Sequence, residues 1–432
     1  MAPALRITLP HRRRLRGSAM TVNVDFVSQD YFRDPAAGLA KLRAAGPVVK
    51  VRFPLVGTVW TTTTQDLANQ VLRDSQMFTL RKDGAVAGMR WWMPKIVRTF
   101  SKNMLTNDEP DHTRLRSVVD EAFRRRAVLE MEPRILAIAG ELAGELFAQG
   151  SPADLVDRYA RKLPLSVICE LLGLPLADRP KFTAWAASLT RFTDPIRFLS
   201  VIPKISAMKR YMAERLDAAR AEGGTGLIAE LVRVEKERGR ISRDEMVAML
   251  FLLLIAGHET TTHLISGSVY ELLRNPGLRD WLEADWSRAN LAIEEFLRFV
   301  SPVQFSKPRF VQKDMELGGV PLKKGEQVMP MLAAANFDPQ SNDHPEKLDL
   351  ERRPNRHIAF GAGIHFCLGH QLARMEGKCA LQALFARWPK LELATEDSRI
   401  RWRTRAGFRA IERLPVINDH RGESHIRAAG AV

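Results

Sequence analysis

Apolar residues recur with helical spacing along most of the chain and alternate as in strands at only a few places. Spacings of three and four predict helices at residues 114–123, 134–148, 207–221, 244–273 and 291–299. Runs of β-branched and aromatic residues predict short strands at residues 48–53, 59–64, 310–317 and 327–331. Strands and helices do not alternate regularly, so the pattern predicts a mainly α fold with a minor β-sheet region.

Length and composition are those of a protein with a large buried core. The chain has 432 residues, of which 45% are hydrophobic. The longest apolar run, residues 246–256, is too short to cross a bilayer and leads directly into His258 and Glu259. The basic start is followed by polar residues and not by the apolar core of a signal peptide. We therefore expect a cytoplasmic, bacterial protein with no membrane span.

The net charge of +15 indicates an acidic partner. Five of the basic residues lie in the first 20 positions, which contain no acid. We expect residues 1–20 to be a disordered basic leader, residues 21–417 a single domain, and residues 418–432 a polar tail. The remaining basic residues are dispersed without a recognisable nucleic-acid-binding module. An acidic electron-transfer protein is therefore a better candidate for the partner than DNA or RNA.

The three cysteines are too few for a disulfide framework, which fits a reducing cytosol. Cys169 and Cys379 lie in apolar helical patterns, and we expect both to be buried thiols. Cys367 differs because it ends a glycine-rich loop, directly before a helical pattern that continues to about residue 387. Backbone N–H groups and the helix dipole favour the thiolate there, which predicts ionisation at neutral pH. The loop and cysteine alone fit a haem ligand, a redox thiol, a zinc ligand or a plain helix cap.

The wider pattern F-G-x-G-x-H-x-C-L-G at residues 360–369 matches at seven specified positions. It resembles the haem-binding signature of the cytochrome P450 family. The resemblance covers roughly residues 24–417 and implies the cytochrome P450 fold, with haem b (iron protoporphyrin IX) as cofactor and Cys367 as the axial ligand of the haem iron. It also implies that the haem contacts Phe360, Gly361, Gly363 and Gly369.

Further positions resemble the family's partners of the two haem propionates, which need cationic or hydrogen-bonding groups when buried. His112 and Arg116 are four residues apart, on one face of a predicted helix. Arg309 begins an R-x-x-x-x-D stretch, and His365 lies two residues before Cys367. The resemblance implies that these four side chains contact the propionates.

The longest predicted helix contains Ala256-Gly257-His258-Glu259-Thr260-Thr261 at its centre. Glycine and clustered hydroxyls are unfavourable in a helix interior, so this stretch predicts either a packed kink or a functional, opened turn. In the resembling family, A-G-x-[DE]-T marks the acid–alcohol pair of the distal pocket. The resemblance implies that Glu259 and Thr260 are catalytic and deliver protons during dioxygen activation, and that Ala256 contacts the haem.

Glu295 and Arg298 are three residues apart on one predicted helix face and match the family's E-x-x-R motif. The resemblance implies that they form a buried network with Arg352 and hold the cysteine loop in place. Their role would be structural, with no part in the chemistry.

The substrate pocket is less well defined by the sequence. The resemblance places Trp91 and Trp92 in its roof, although these aromatics can equally belong to the core. Its predicted wall consists of Leu252, Ala256, Val303 and Phe305. All are apolar, which predicts a hydrophobic small-molecule substrate.

The resemblance thus implies a haem-thiolate monooxygenase that inserts one atom of molecular oxygen into that substrate. Electrons would come from a separate ferredoxin and ferredoxin reductase, with ferredoxin docking near Arg124, Arg125 and Arg126. We expect a monomer. Two alternatives stay open: a peroxide-driven peroxygenase, and a haem-thiolate sensor or binding protein without turnover.

Overall fold

The computed structural model describes residues 21–54, 56–83, 85–87, 103–123, 130–178, 180–182, 184–185, 202–239 and 241–418. Helices dominate this part of the chain. They are α1 Gln29–Arg33, α2 Ala36–Ala45, α3 Gln65–Arg73, α4 Asp111–Ala122, α5 Glu132–Glu145, α6 Lys162–Leu172, α7 Ile202–Glu222, α8 Leu227–Arg238, α9 Arg243–Arg274, α10 Pro276–Glu283, α11 Ala289–Val300, α12 Leu332–Asn336 and α13 His370–Arg387.

The strands are short and form small sheets. They are β1 Thr21–Val22, β2 Val48–Phe53, β3 Gly57–Thr62, β4 Phe78–Thr79, β5 Arg81–Lys82, β6 Ala85–Val86, β7 Ala153–Asp154, β8 Arg309–Val311, β9 Met315–Leu317, β10 Val320–Leu322, β11 Gln327–Val328, β12 Leu391–Leu393, β13 Arg401–Trp402, β14 Ile411–Arg413 and β15 Pro415–Asn418. The largest sheet has the order β1-β2-β3-β11-β8-β4, and β12-β15-β7 form a second. The predicted mainly α fold with a minor sheet region is therefore confirmed.

The central helix α9 starts at a capping box. The Ser242 hydroxyl accepts a hydrogen bond from the Glu245 N–H at 3.3 Å, and the Glu245 carboxylate accepts one from the Ser242 N–H at 2.8 Å. The helix continues for 32 residues and packs against α6, α7, α11 and α13. These contacts make α9 the axis of the helical body.

Among the described residues, α9 is the one helix long and apolar enough to cross a membrane by length and composition. The sequence predicted no such segment because its continuous apolar run ends at residue 256, whereas the helix continues through small and hydroxyl-bearing residues. Its most apolar window is 67% buried inside the protein. That burial identifies α9 as a core helix.

Two hydrophobic clusters flank α9. One lies between its C-terminal half, α5, α11 and α13, where Ile265, Phe296 and Leu384 are fully buried. The other lies between its N-terminal half, α6, α7 and α8, where Cys169, Met212 and Leu250 are fully buried. Cys379 is also buried, so both expected buried thiols are confirmed.

Candidate functional site

The cysteine loop is a tight turn whose backbone holds Cys367 just before α13. The Cys367 N–H donates to the Phe360 carbonyl at 3.0 Å, and the Gly369 N–H donates to the cysteine sulfur. Gly361 and Gly363 both have a φ of 70°, in the left-handed region that glycine tolerates. A Cβ on Gly363 would lie 2.2 Å from the Leu72 carbonyl oxygen at the end of α3. The loop therefore requires glycine at residue 363 for close packing as well as for its backbone angle.

The predicted ionisation of Cys367 at neutral pH needs correction. Burial raises the pKa of the thiol above its ordinary value. The Gly369 N–H and the charges of Arg116 and Arg374 act in the opposite direction without cancelling that effect. The sequence pattern identified the N–H donor and the helix terminus but not the degree of burial. A bound cation would have to displace the thiol proton.

Three predicted propionate partners converge beside this loop. The imidazole rings of His112 on α4 and His365 lie with centroids 4.5 Å apart, and Arg309 on β8 is 3% exposed. Burial lowers the pKa of His112, lowers that of His365 to about 2 and lowers that of Arg309 to about 10. Within the described ranges, neither ring nitrogen of His112 makes a hydrogen bond, and the same is true of His365 Nε2 and Arg309 Nε. The Glu109 carboxylate lies 3.6 Å from His112 Nδ1.

Buried polar atoms without partners are unfavourable, each costing about 1–3 kcal/mol. The four atoms beside the cysteine loop include N–H groups that an anionic, metal-bearing group would satisfy. A haem fits this set of residues. Its iron would take the Cys367 sulfur, and its propionates would take His112, His365 and Arg309.

Arg116 has a different setting from these three residues. Its guanidinium donates to the carbonyls of Ile364 and Phe366, at 3.1 and 2.7 Å, and lies 3.4 Å from Asp120. It therefore fastens the cysteine loop to α4. The sequence did not indicate these backbone contacts, because they link positions about 250 residues apart.

The centre of α9 is a continuous helix, so the expected opened turn is absent from this described segment. The Thr260 hydroxyl donates to the Ala256 carbonyl at 3.0 Å, and the Thr262 hydroxyl donates to the His258 carbonyl at 2.8 Å. Each hydroxyl thus donates to a carbonyl one turn back, so these polar side chains are accommodated without breaking the helix. Ala256 is exposed and Thr260 half-buried on a helix whose neighbouring residues are mostly buried.

Glu259 lies in a basic environment that the sequence did not predict. It is 7% exposed and pairs with Arg405 at 2.5 Å, while His263 Nε2 lies 3.9 Å away. Burial, followed by the charges of Arg403 and Arg405, lowers the pKa of His263 well below its ordinary value. Arg405 is 146 positions from Glu259, and no local pattern marks it as a partner.

The structure brings Glu295, Arg298 and Arg352 together in one buried network. Arg298 makes two hydrogen bonds to the Glu295 carboxylate, at 2.8 and 2.7 Å, and Arg352 donates to both carboxylate oxygens at 3.2 and 3.1 Å. The remaining arginine N–H groups donate to the carbonyls of Asn336, Asp343, His344, Pro345 and Lys347. The network therefore fixes the irregular segment that precedes the cysteine loop.

The predicted pocket residues are spread more widely. Leu252 and Val303 are half-buried, whereas Phe305 is 6% exposed and packs edge-on against Phe26 and Phe53. Most of the Phe305 side chain is therefore packed in the core. Trp91, Trp92 and the basic residues 124–126 lie outside the described residues.

Sequence reasoning also missed Arg374. This residue lies on α13, places its guanidinium 4.6 Å from the centre of the Phe360 ring and pairs with Glu294 on α11. Its ion pair joins α13 to a residue 80 positions away, and no local pattern in the sequence marks it. Its charge favours the thiolate of Cys367.

The sequence of this chain is similar to those of known proteins. A family model described as Cytochrome P450 matches residues 287–400. A vitamin D(3) 25-hydroxylase from Pseudonocardia autotrophica is 39% identical over 393 residues, covering 91% of this chain and 96% of that protein. The chain belongs to the cytochrome P450 family. This P450 is also 35% identical over 407 residues to the 6-deoxyerythronolide B hydroxylase of Saccharopolyspora erythraea, covering 93% of this chain and all of that protein.

Solved structures of cytochromes P450 have the same fold as this chain. The myxobacterial P450 CYP267B1, in complex with myristic acid, superposes with a TM-score of 0.83 at 35% identity and covers 91% of this chain and 99% of that chain. CYP109E1 from Bacillus megaterium, in complex with testosterone, has a TM-score of 0.79 at 27% identity, covering 91% and 100%. This P450 is accordingly a haem-dependent monooxygenase with the fold of its bacterial relatives.

Proposed function

We propose that this P450 uses haem b, bound through Cys367, to insert one oxygen atom from O2 into a hydrophobic small organic substrate. The observation that carries the proposal is the group of unpartnered His112, His365 and Arg309 atoms beside the Cys367 loop. Haem supplies dioxygen activation when bound. Phe360 and Gly369 are hydrogen-bonded to Cys367, Gly361 and Gly363 supply the left-handed backbone of the loop, and we expect all four to contact the haem.

Thr260 and Glu259 supply and position protons in this proposal. The Thr260 hydroxyl, held by the Ala256 carbonyl, is a donor on the less buried side of α9. Glu259 lies one position away and is held between Arg405 and His263. The Glu259 carboxylate would take a proton from water and, as the carboxylic acid, would pass that proton on toward the Thr260 hydroxyl.

The substrate would contact Ala256, Leu252 and Val303. Two relatives are named as hydroxylases of vitamin D(3) and of 6-deoxyerythronolide B, and two similar structures contain myristic acid and testosterone. These compounds are apolar but chemically different. This range supports a hydrophobic substrate as a class. Within that class we propose no single compound.

Electrons would come from ferredoxin and ferredoxin reductase, separate from this chain. The net charge of +15 supports an acidic partner, and we place its docking near residues 124–126. We further propose a cytoplasmic monomer with one P450 domain at residues 21–417, between a basic leader and a polar tail.

The test begins with the ferrous protein under carbon monoxide. Thiolate ligation predicts a strongly red-shifted Soret band in the wild type and its loss in Cys367→Ser. Cys379→Ala is the matched control, because it removes a thiol elsewhere in the fold, and it should keep the band. A band that survives in Cys367→Ser would contradict the assigned ligand.

Turnover is tested with the same protein, NADH, ferredoxin reductase, ferredoxin and a library of hydrophobic compounds. We expect oxygen uptake and a product heavier by one oxygen atom. Product formed only with hydrogen peroxide would favour the peroxygenase. Ligand binding without any product under either condition would favour the sensor.

A further inference from the structure

Arg374 links α13, the helix that follows the cysteine loop, to Glu294 on α11. Arg374 Nε donates to Glu294 Oε1 at 2.5 Å, and Arg374 Nη2 donates to Glu294 Oε2 at 2.9 Å, so the ion pair is forked. His357 Nδ1 accepts a hydrogen bond from the Ala359 N–H at 3.3 Å, and His357 Nε2 donates to Glu294 Oε2 at 2.9 Å. The carboxylate that orients Arg374 is therefore itself held in place.

This orientation brings the Arg374 guanidinium into contact with the cysteine loop. Its central carbon lies 4.6 Å from the centre of the Phe360 ring, and the Phe360 carbonyl accepts the Cys367 N–H at 3.0 Å. Arg374 Nη1 donates to His370 Nδ1 at 2.9 Å and to the His370 carbonyl at 3.3 Å. Arg374 thus contacts residues that precede and follow Cys367 in the chain.

The pair brings two opposite charges to the same loop. Burial acts to raise the pKa of Glu294, but hydrogen bonds from Arg374 and His357 lower that pKa to about 2, so Glu294 is ionised at neutral pH. The Arg374 and Glu294 side chains are 32% and 31% exposed, so water screens their fields only in part. Arg116 brings a further positive charge to the loop from α4, through its contacts with backbone carbonyls.

These charges bear on electron uptake at Cys367. Reduction of a thiolate-ligated haem adds one negative charge beside the sulfur. A nearby cation stabilises the reduced form more than the oxidised form, and a nearby carboxylate has the opposite effect.

We propose that Arg374 and Glu294 are positioning residues that together set the reduction potential of the haem. Arg374 raises the potential and Glu294 lowers it, both acting through the cysteine loop. This inference rests on the proposed function, because it assumes haem bound through Cys367.

A purely structural role for the ion pair would give a different result. Loss of either partner would then loosen the loop in the same way, so both single variants would shift the potential in one direction. Opposed charges predict shifts of opposite sign. They also predict that removing both charges together largely cancels the two effects.

Spectroelectrochemical titration of the haem-loaded protein measures the potential. Arg374→Met should make reduction less favourable by about threefold or more in the equilibrium constant, and Glu294→Gln should make it more favourable by a similar factor. Arg374→Lys keeps the charge without the fork and should stay within about twofold of the wild type. The double variant Arg374→Met/Glu294→Gln should return close to the wild-type value.

Arg279 and Glu283 on α10 provide a matched control. Arg279 Nε donates to Glu283 Oε1 at 2.8 Å, and the central carbon of its guanidinium lies 4.5 Å from the centre of the Phe385 ring. Phe385 lies near the C-terminal end of α13, so the same three groups meet at the end of that helix opposite to the cysteine loop. Arg279→Met and Glu283→Gln should therefore leave the potential unchanged.

The carbon monoxide band of the wild type is recorded first. Its absence would mean that the proposed function fails, which is distinct from any effect of the pair. With the band present, shifts of the same sign in Arg374→Met and Glu294→Gln, or no shift in either, would overturn the inference.

A single variant that loses the band leaves Arg374→Lys and the double variant to decide. Wild-type potentials in both would support the opposed charges. A displaced potential in either, or loss of the band in the double variant, would overturn them.

Discussion

Glu376 is a buried carboxyl group that the proposed chemistry does not use. It lies on α13, is 1% exposed, and its Oε2 atom has no hydrogen-bond partner in the described part of the chain. Burial raises its pKa well above the ordinary value, and a hydrogen bond from Thr261 opposes that shift without reversing it. The folded protein therefore binds the Glu376 proton more tightly than the unfolded chain does.

This difference predicts a pH-dependent effect of Glu376→Gln. Above about pH 4.5 the unfolded chain loses this proton while the folded protein keeps it, so the contribution of Glu376 to wild-type stability falls by about 1.4 kcal/mol per pH unit. The variant lacks this penalty, and its advantage in unfolding free energy should grow from pH 5 to pH 6. Urea unfolding at both values measures it. The exposed Glu230→Gln is the control, and equal pH slopes in wild type and Glu376→Gln would contradict the prediction.

The Thr260 hydroxyl positions a proton in the proposed function. Thr260→Ala should therefore lower the product formed per electron pair by about tenfold or more. Hydrogen peroxide should account for the missing electrons. Ser268→Ala is the matched control, since Ser268 makes the same contact with a carbonyl one turn back, at 2.8 Å, two turns further along α9. Product yield that stays at the wild-type level in Thr260→Ala would refute the role of this hydroxyl.

At the scale of elements, the cysteine loop is held by its packing against α3. Gly363→Ala combines an unfavourable left-handed backbone with a close approach to the Leu72 carbonyl. Gly319→Ala, in the β9–β10 turn, has a comparable φ of 82° but no atom within 4 Å. The control should lose about 1–2 kcal/mol from backbone strain alone. Gly363→Ala should lose more and retain less haem, as measured by urea unfolding and haem content; equal losses would show that the α3 contact is unimportant.

The Glu295 network gives a second prediction for elements. Arg298→Met leaves the buried Glu295 carboxylate with fewer partners and should cost roughly 3–5 kcal/mol, accompanied by loss of the red-shifted band. Arg233→Met breaks an ion pair with Glu230 of the same spacing on the surface, and should cost less than about 1 kcal/mol. Chemical unfolding of both variants measures the difference. Similar small losses would mean that the buried network does not hold the loop.

Elements with a strong periodic pattern were predictable from the sequence. Helix α9 and its capping box follow from local spacing, and α4, α5, α7 and α11 were found within a few residues of their ends. Helix α6 was predicted only as an apolar helical pattern around Cys169, without bounds, because most of its residues are buried and polar positions do not mark its ends. The pairing of Glu259 with Arg405 was also missed, because the fold brings distant positions together.

At the scale of the whole molecule, the positive net charge predicts electrostatic control of reduction. The triple change of Arg124, Arg125 and Arg126 to glutamate should slow reduction by an acidic ferredoxin and weaken its dependence on salt. Stopped-flow reduction at several ionic strengths measures both effects. Lys313, Lys390 and Arg401 are exposed and provide a charge-matched triple control. If both triples behave alike, docking near residues 124–126 is refuted.

In the proposed function, helix α9 links substrate choice to the stability of the whole fold. The same helix carries Leu252, Ala256 and Thr260 and also joins both hydrophobic clusters. Substitutions on α9 that alter the proposed pocket therefore also affect the packing of both hydrophobic clusters. Few of them should be tolerated as single mutations. Laboratory evolution toward new compounds should succeed first at Val303 and in surrounding loops, and should accept changes on α9 only after stabilising mutations elsewhere.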